Sequence, residues 1–155
     1  MDFTARSPLP AVNYLRIDSM IEFDAFLTHD DLGRENHSRV ARVNAALKAA
    51  GYSTWCTRSV PRGDANQKTV ADSVEKSACL IVFLTRSYIE KASGHGPKGP
   101  NDSCKFEFDV ALSTLGVGKT IAVVMEPRCC YPPAWPGGTV RGKRAPPVCV
   151  AQAEV

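Results

Sequence analysis

Cys79-Leu80-Ile81-Val82-Phe83-Leu84 is the most apolar window of the chain, and the polar Thr85-Arg86-Ser87 closes it. A strand with one face in water alternates apolar and polar residues, whereas a run without alternation is covered on both faces. Strands of that kind lie in the middle of parallel sheets flanked by helices, so this window predicts an α/β domain.

The neighbouring segments extend the pattern in both directions. Upstream, Val70, Val74 and Ala78 recur at a spacing of four and predict a helix over residues 67–77 with those side chains inward. Before it lie a loop over 57–66, carrying Pro61 and Gly63, and a short strand over 52–56. A longer helix places Val40, Val43, Leu47 and Ala50 on one face and ends at Gly51. The first strand is Phe23-Asp24-Ala25-Phe26-Leu27-Thr28, followed by polar His29-Asp30-Asp31. Asp24 inside it needs a partner, so it is expected to cap a neighbouring loop or to pair with a basic side chain.

Downstream, Thr85-Arg86-Ser87 opens a short helical segment, and residues 93–100, Ser-Gly-His-Gly-Pro-Lys-Gly-Pro, form a surface insertion. Helix returns near Ser103 with Cys104, Phe108, Ala111, Leu112 and Leu115 on one stripe, and residues 121–125 form the next strand. Strand and helix thus alternate four times, which predicts a parallel sheet and one core between Phe23 and Met125. Beyond Glu126 six prolines interrupt the pattern, and only Val148-Cys149-Val150 reads as a further, edge strand. The chain divides into an N-terminal extension (1–20), the domain (21–140) and a C-terminal tail or edge strand (141–155).

Composition narrows the function. With 155 residues, 44% hydrophobic and 23% charged, this is an ordinary globular composition with room for one core. No apolar run is long enough to span a bilayer, and residues 1–16 contain no signal-type stretch, so no membrane span and a cytoplasmic location are expected. The only dense basic cluster is Arg141, Lys143 and Arg144, which reads as a solvated tail, and no nucleic acid partner is expected. The six cysteines include no C-x-x-C pair and the three histidines no ligand pattern. Buried thiols and no metal are therefore expected.

In an open parallel sheet, ligands bind beyond the carboxyl ends of the strands. The candidate segments are residues 28–34, 57–64, 85–87 and 126–128. Gly116-Val117-Gly118-Lys119-Thr120 imitates the end of a phosphate-binding loop, but Ser113 stands where that motif opens with glycine. The segment also precedes a strand, so it reads as a helix C-cap and turn. No G-x-G-x-x-G run is present, which argues against a dinucleotide-dependent dehydrogenase. A phosphoacceptor receiver would end its third strand on aspartate, where Leu84-Thr85 stand.

Phe23-Asp24-Ala25-Phe26-Leu27-Thr28-His29, Gly51-Tyr52-Ser53-Thr54-Trp55, Arg62-Gly63-Asp64 and the Cys104-x-x-Glu107-Phe108 box together resemble the TIR (Toll/interleukin-1 receptor) domains. The run from Asp30 to Val40, with Asn44 and Trp135-Pro136-Gly137-Gly138-Thr139-Val140, is similar to a subgroup of protists and other microbial eukaryotes. The resemblance covers residues 21–140. It implies a flavodoxin-like three-layer α/β/α fold with a central parallel sheet of four to five strands. It also implies a signal-transduction module that pairs with other TIR domains, as a homo-oligomer on activation. Arg62, Gly63 and Asp64 would lie at that interface, in the loop after the second strand. Where similar sequences often have an aromatic and then an acidic residue after the tryptophan, this chain has Cys56-Thr57-Arg58.

Some members of the family are scaffolds, and others look like hydrolases that cleave the nicotinamide–ribose bond of NAD+. The resemblance assigns the catalytic carboxylate to Glu107, with NAD+ as substrate and no resident cofactor. From the residues alone, Glu107 lies one position to the side of the buried stripe, where it is either a cleft carboxylate or an ordinary solvated glutamate. His29, Asp30 and Arg34 follow the first strand and are candidates for binding the nucleotide, Arg34 as an anion partner. Trp55 either lines the same pocket or belongs to the core.

Overall fold

The structure, a computed structural model, describes residues 20–30, 33–61 and 63–130. Arg62, the 135–140 element, the basic cluster and Val148-Cys149-Val150 lie outside the described residues. Four strands form one parallel sheet in the order β2-β1-β3-β4: β1 (Phe23–Thr28), β2 (Thr54–Cys56), β3 (Ser77–Leu84) and β4 (Thr120–Val124). Among the described residues four α-helices accompany them: α1 (Arg34–Ala49), α2 (Gln67–Glu75), α3 (Arg86–Ala92) and α4 (Ser103–Leu115). This is the flavodoxin-like α/β arrangement, with helices on both faces of the sheet.

The two faces are unequal. Phe26, Leu80, Val82 and Leu84 pack against Val70 and Val74 of α2, Tyr88 of α3 and Cys104 and Ala111 of α4. On the other face, Ala25, Leu27 and Phe83 meet Val40 of α1, with Leu47 beside it. The window 79–84 is thus covered on both sides, Leu80, Val82 and Leu84 on one and Ile81 and Phe83 on the other. Val43, on the expected inner stripe of α1, is 40% exposed.

Chain punctuation follows the residue chemistry. Gly51 with φ +92° follows α1, and Gly116 with φ +77° ends α4, conformations that a side chain disfavours. Asn66, Thr85 and Asp102 accept hydrogen bonds from the first-turn amides of α2, α3 and α4. Gly116 leads into a single 3-10 turn (Val117–Lys119) and then β4, so the imitation phosphate loop is a cap and turn.

Two sequence expectations change. The helix before the central strand stops at Glu75, and Ala78 is an exposed residue of β3 instead of an inward helical one. The cause is a backbone switch at Lys76, whose carbonyl accepts from the amides of Glu22 and Phe23 and so starts pairing with β1 earlier than apolar spacing suggests. Asp24 is exposed rather than buried, and its Oδ2 accepts from the Ser53 amide at 2.7 Å, the loop-capping role expected for it.

Candidate functional site

The strand order makes β1 the turning point: β2 is added on one side of it and β3 on the other. Chain connections leave the sheet in opposite directions there, opening a crevice at the carboxyl ends of β1 and β3. Thr28 closes β1 in that crevice, Thr57 follows β2, and α4 delivers Glu107 between them. Thr28 Oγ1 donates to Glu107 Oε2 at 2.7 Å, and Thr57 Oγ1 donates to Glu107 Oε1 at 2.8 Å.

Glu107 is only 6% exposed and belongs to the buried stripe of α4 with Cys104 and Ala111, not to its side. A carboxylate on a helical stripe that faces a sheet needs donors from the strand ends, and these two hydroxyls supply them. Burial is the main influence on its acidity and pushes the carboxyl above its ordinary value. The Thr28 and Thr57 hydrogen bonds and the Arg58 charge pull it back, and the charge of Asp102 pushes it up. Behind Thr28, Tyr88 Oη lies 3.3 Å from Oγ1.

Beside Glu107 is a pocket of about 340 Å³. Its walls are Thr57, the start of α2 from Asn66 to Val70, the first turns of α4, and Lys98 and Pro100 of the glycine-rich insertion. The insertion is folded rather than loose. The amides of Gly94 and His95 donate to the carbonyls of Lys91 and Glu90, and Gly99–Asn101 form a 3-10 turn. Gly96 sits on Lys91 so closely that a Cβ there would lie 2.8 Å from Lys91 Cγ and 3.1 Å from its Cα.

The other expected site residues are distributed around this centre. Asp30 is 2% exposed, and Lys91 Nζ of α3 reaches its Oδ1 at 2.5 Å, so its carboxylate takes part in a buried ion pair. His29 is also buried. Its Nε2 is 3.2 Å from His37 Nδ1, its Nδ1 is 3.9 Å from Cys56 Sγ, and its carbonyl accepts from Cys104 Sγ. Trp55 stacks on Phe26, with ring centroids 5.0 Å apart, and packs against the core. Arg34 is exposed at the start of α1. None of Trp55, His29, Asp30 and Arg34 lines the pocket beside Glu107. Gly63, with φ +106°, and Asp64 are exposed in the loop after β2.

Sequence reasoning reached one further contributor only as part of a candidate segment and passed over two others. Thr57 was visible as the residue directly after a strand, the position where ligand sites form. Tyr88 and Lys91 gave no such signal, because they approach the strand ends from α3 across the core. Burial holds the Cys56 thiol in its protonated form, and it pushes the Cys104 thiol up to about 12 with help from Glu107 and Asp102, so neither is a nucleophile at neutral pH. Cys56, Cys79, Cys104 and Cys130 are thiols outside any disulfide. Among the described residues no cluster of three His, Cys, Asp or Glu side chains is placed to hold a metal, and no helix is long and apolar enough to cross a membrane.

A family model described as TIR domain matches residues 26–145, from within β1 to past the last described residue. The chain belongs to the TIR domain family. No curated protein and no solved structure gives a significant match. This TIR domain is thereby a member of a family of signal-transduction domains, with the parallel sheet and flanking helices of that family.

Proposed function

We propose that this TIR domain self-associates and, once assembled, cleaves the nicotinamide–ribose bond of NAD+, releasing nicotinamide and ADP-ribose in linear or cyclic form. The observation that carries the reading is Glu107, a carboxylate at the turning point of the sheet with both oxygens held by hydroxyl donors and a pocket beside it. Nicotinamide on a pyridinium nitrogen is a good leaving group: the C–N bond breaks with its electron pair going to the ring, and positive charge grows on the ribose. A fixed carboxylate stabilises that charge and accepts from a ribose hydroxyl. In hydrolysis, water adds to the same carbon and loses a proton, giving ADP-ribose. The pocket suits the nicotinamide–ribose end of the substrate, while the exposed loop around Gly63 and Asp64, with Arg62, supplies the surface for pairing with other TIR domains.

The second reading is a noncatalytic adaptor that acts through protein–protein contacts alone. The observation that favours it is the depth of Glu107, only 6% exposed and already satisfied by two threonines. Nicotinamide release from NAD+ by concentrated wild-type domain, beside a folded Glu107→Ala variant, separates the two. Release that disappears in the variant supports the hydrolase. No release from an assembled, folded wild-type domain overturns the hydrolase in favour of the adaptor.

A further inference from the structure

The two hydroxyls on Glu107 are not equivalent. Thr28 is 1% exposed and Tyr88 is wholly buried, so the Oε2 side of the carboxylate faces the interior. A threonine hydroxyl has one hydrogen, and Thr28 donates it to Glu107. Tyr88 must therefore be the donor in its 3.3 Å contact with Thr28, giving a chain that runs from the phenol through the hydroxyl to Oε2. That chain is part of the packed core. Thr57 differs: it is half-buried, stands on the 3-10 turn Thr57–Ser59 after β2, and lines the pocket together with Glu107.

We propose that Thr57 is a positioning residue of this site, holding the pocket-side oxygen Oε1 of Glu107 in one orientation for a ligand in the pocket. The inference rests on the hydrolase reading for its catalytic consequence. Its structural half concerns one hydrogen bond and is measurable without substrate. A carboxylate with one oxygen tied inward can still rotate or take up a proton on the other, and a hydroxyl donor at that oxygen opposes both. Among the described residues, the charged and titratable groups around the carboxylate are Arg58 and Cys56 beside Thr57, Asp102 and Cys104 on the α4 side, Tyr88 from α3, and Lys98, Lys105 and Asp109, which line the same pocket. The charge of Arg58 acts on Glu107 in the same direction as the Thr57 hydrogen bond.

The test is a pH titration of the Glu107 carboxyl by carbon NMR on protein labelled at glutamate carboxyls, with the signal assigned by its absence in Glu107→Gln. Thr57→Val keeps the shape and removes the donor; Thr57→Ser keeps the donor. The valine variant is expected to move the Glu107 midpoint up by about one to two pH units, as loss of one hydrogen bond to a charged group does, and serine to restore it. In nicotinamide release, valine should lower kcat about tenfold with KM little changed. It should also move the rising limb of the pH profile to higher pH by the same interval, with serine again restoring both. A Glu107 titration in Thr57→Val that matches wild type overturns the inference whatever the activity. If valine does not fold, Thr57→Ala carries the same comparison. A midpoint that moves in a protein that releases no nicotinamide leaves the positioning bond in place and overturns the hydrolase reading alone.

Discussion

Asp30 and Glu107 are two carboxylates buried near the carboxyl end of β1, and they are kept there by opposite means. Asp30 meets a cation, Lys91, and the two charges leave water together. Glu107 is bonded to two neutral hydroxyls. An ion pair removed from water is held by its own attraction, and loss of either partner strands the other. A carboxylate held by neutral hydroxyls has no fixed countercharge of its own among them, so it remains available to a ligand's positive charge. The first arrangement suits a structural joint between β1 and α3, the second a chemical group.

The sharpest way to break the contrast is to remove the cation. Lys91→Met leaves the Asp30 charge buried without its ammonium partner, and urea unfolding should show a loss of about 3–5 kcal/mol. Adding Asp30→Asn to that variant should return most of it, since the remaining buried charge is the cause. A next, smaller perturbation presses on the same lysine from outside. Gly96→Ala brings a methyl against Lys91 Cγ and Cα and should destabilise by about 1–3 kcal/mol in the same assay.

Glu107 should make stability depend on pH in a direction set by its burial. Its folded-state pKa is raised above the ordinary value, so folding favours the protonated form. That stability is fully present below the unfolded pKa and is lost as pH rises through the folded one. Glu107→Gln removes the titration, so its stability curve should lack this fall. The gap from wild type at neutral pH should be about 1.4 kcal/mol for every pH unit that separates the folded and unfolded midpoints of the carboxyl. The smallest effect belongs to the exposed pair Lys68–Asp72 on α2, both half-exposed or more. Lys68→Ala should change stability by less than about 0.5 kcal/mol, which measures how much burial contributes to the Asp30–Lys91 pair.

Most of the fold was legible because each main element carries its own period. The unbroken window at 79–84 and the fourfold spacing of Val70 and Val74 depend only on which faces are covered. The boundary at Lys76 was not legible, since it is decided by backbone bonds to Glu22 and Phe23 some fifty residues away in sequence. In the site, the strand-end rule brought Thr28 and Thr57 into view, and the Cys104-x-x-Glu107 box singled out the carboxylate. Its burial was missed because a glutamate on a helix reads as polar surface until its donors are known. Lys91 was hidden for the matching reason, as a lysine whose partner lies 61 positions away.

The insertion at 93–100 has one more implication. Glycine-rich loops usually exchange their amide hydrogens with water within moments, but the amides of Gly94, His95, Gly99, Asn101 and Asp102 all have carbonyl partners, and Gly96 rests on Lys91. Deuterium uptake there should accordingly be slow, and the wall that Lys98 and Pro100 give the pocket is in place before any ligand arrives. A ligand then meets a mould already set on that side, and whatever adaptation binding requires falls to the loop after β2, beyond the hydrogen bond that fixes Thr57 to Glu107.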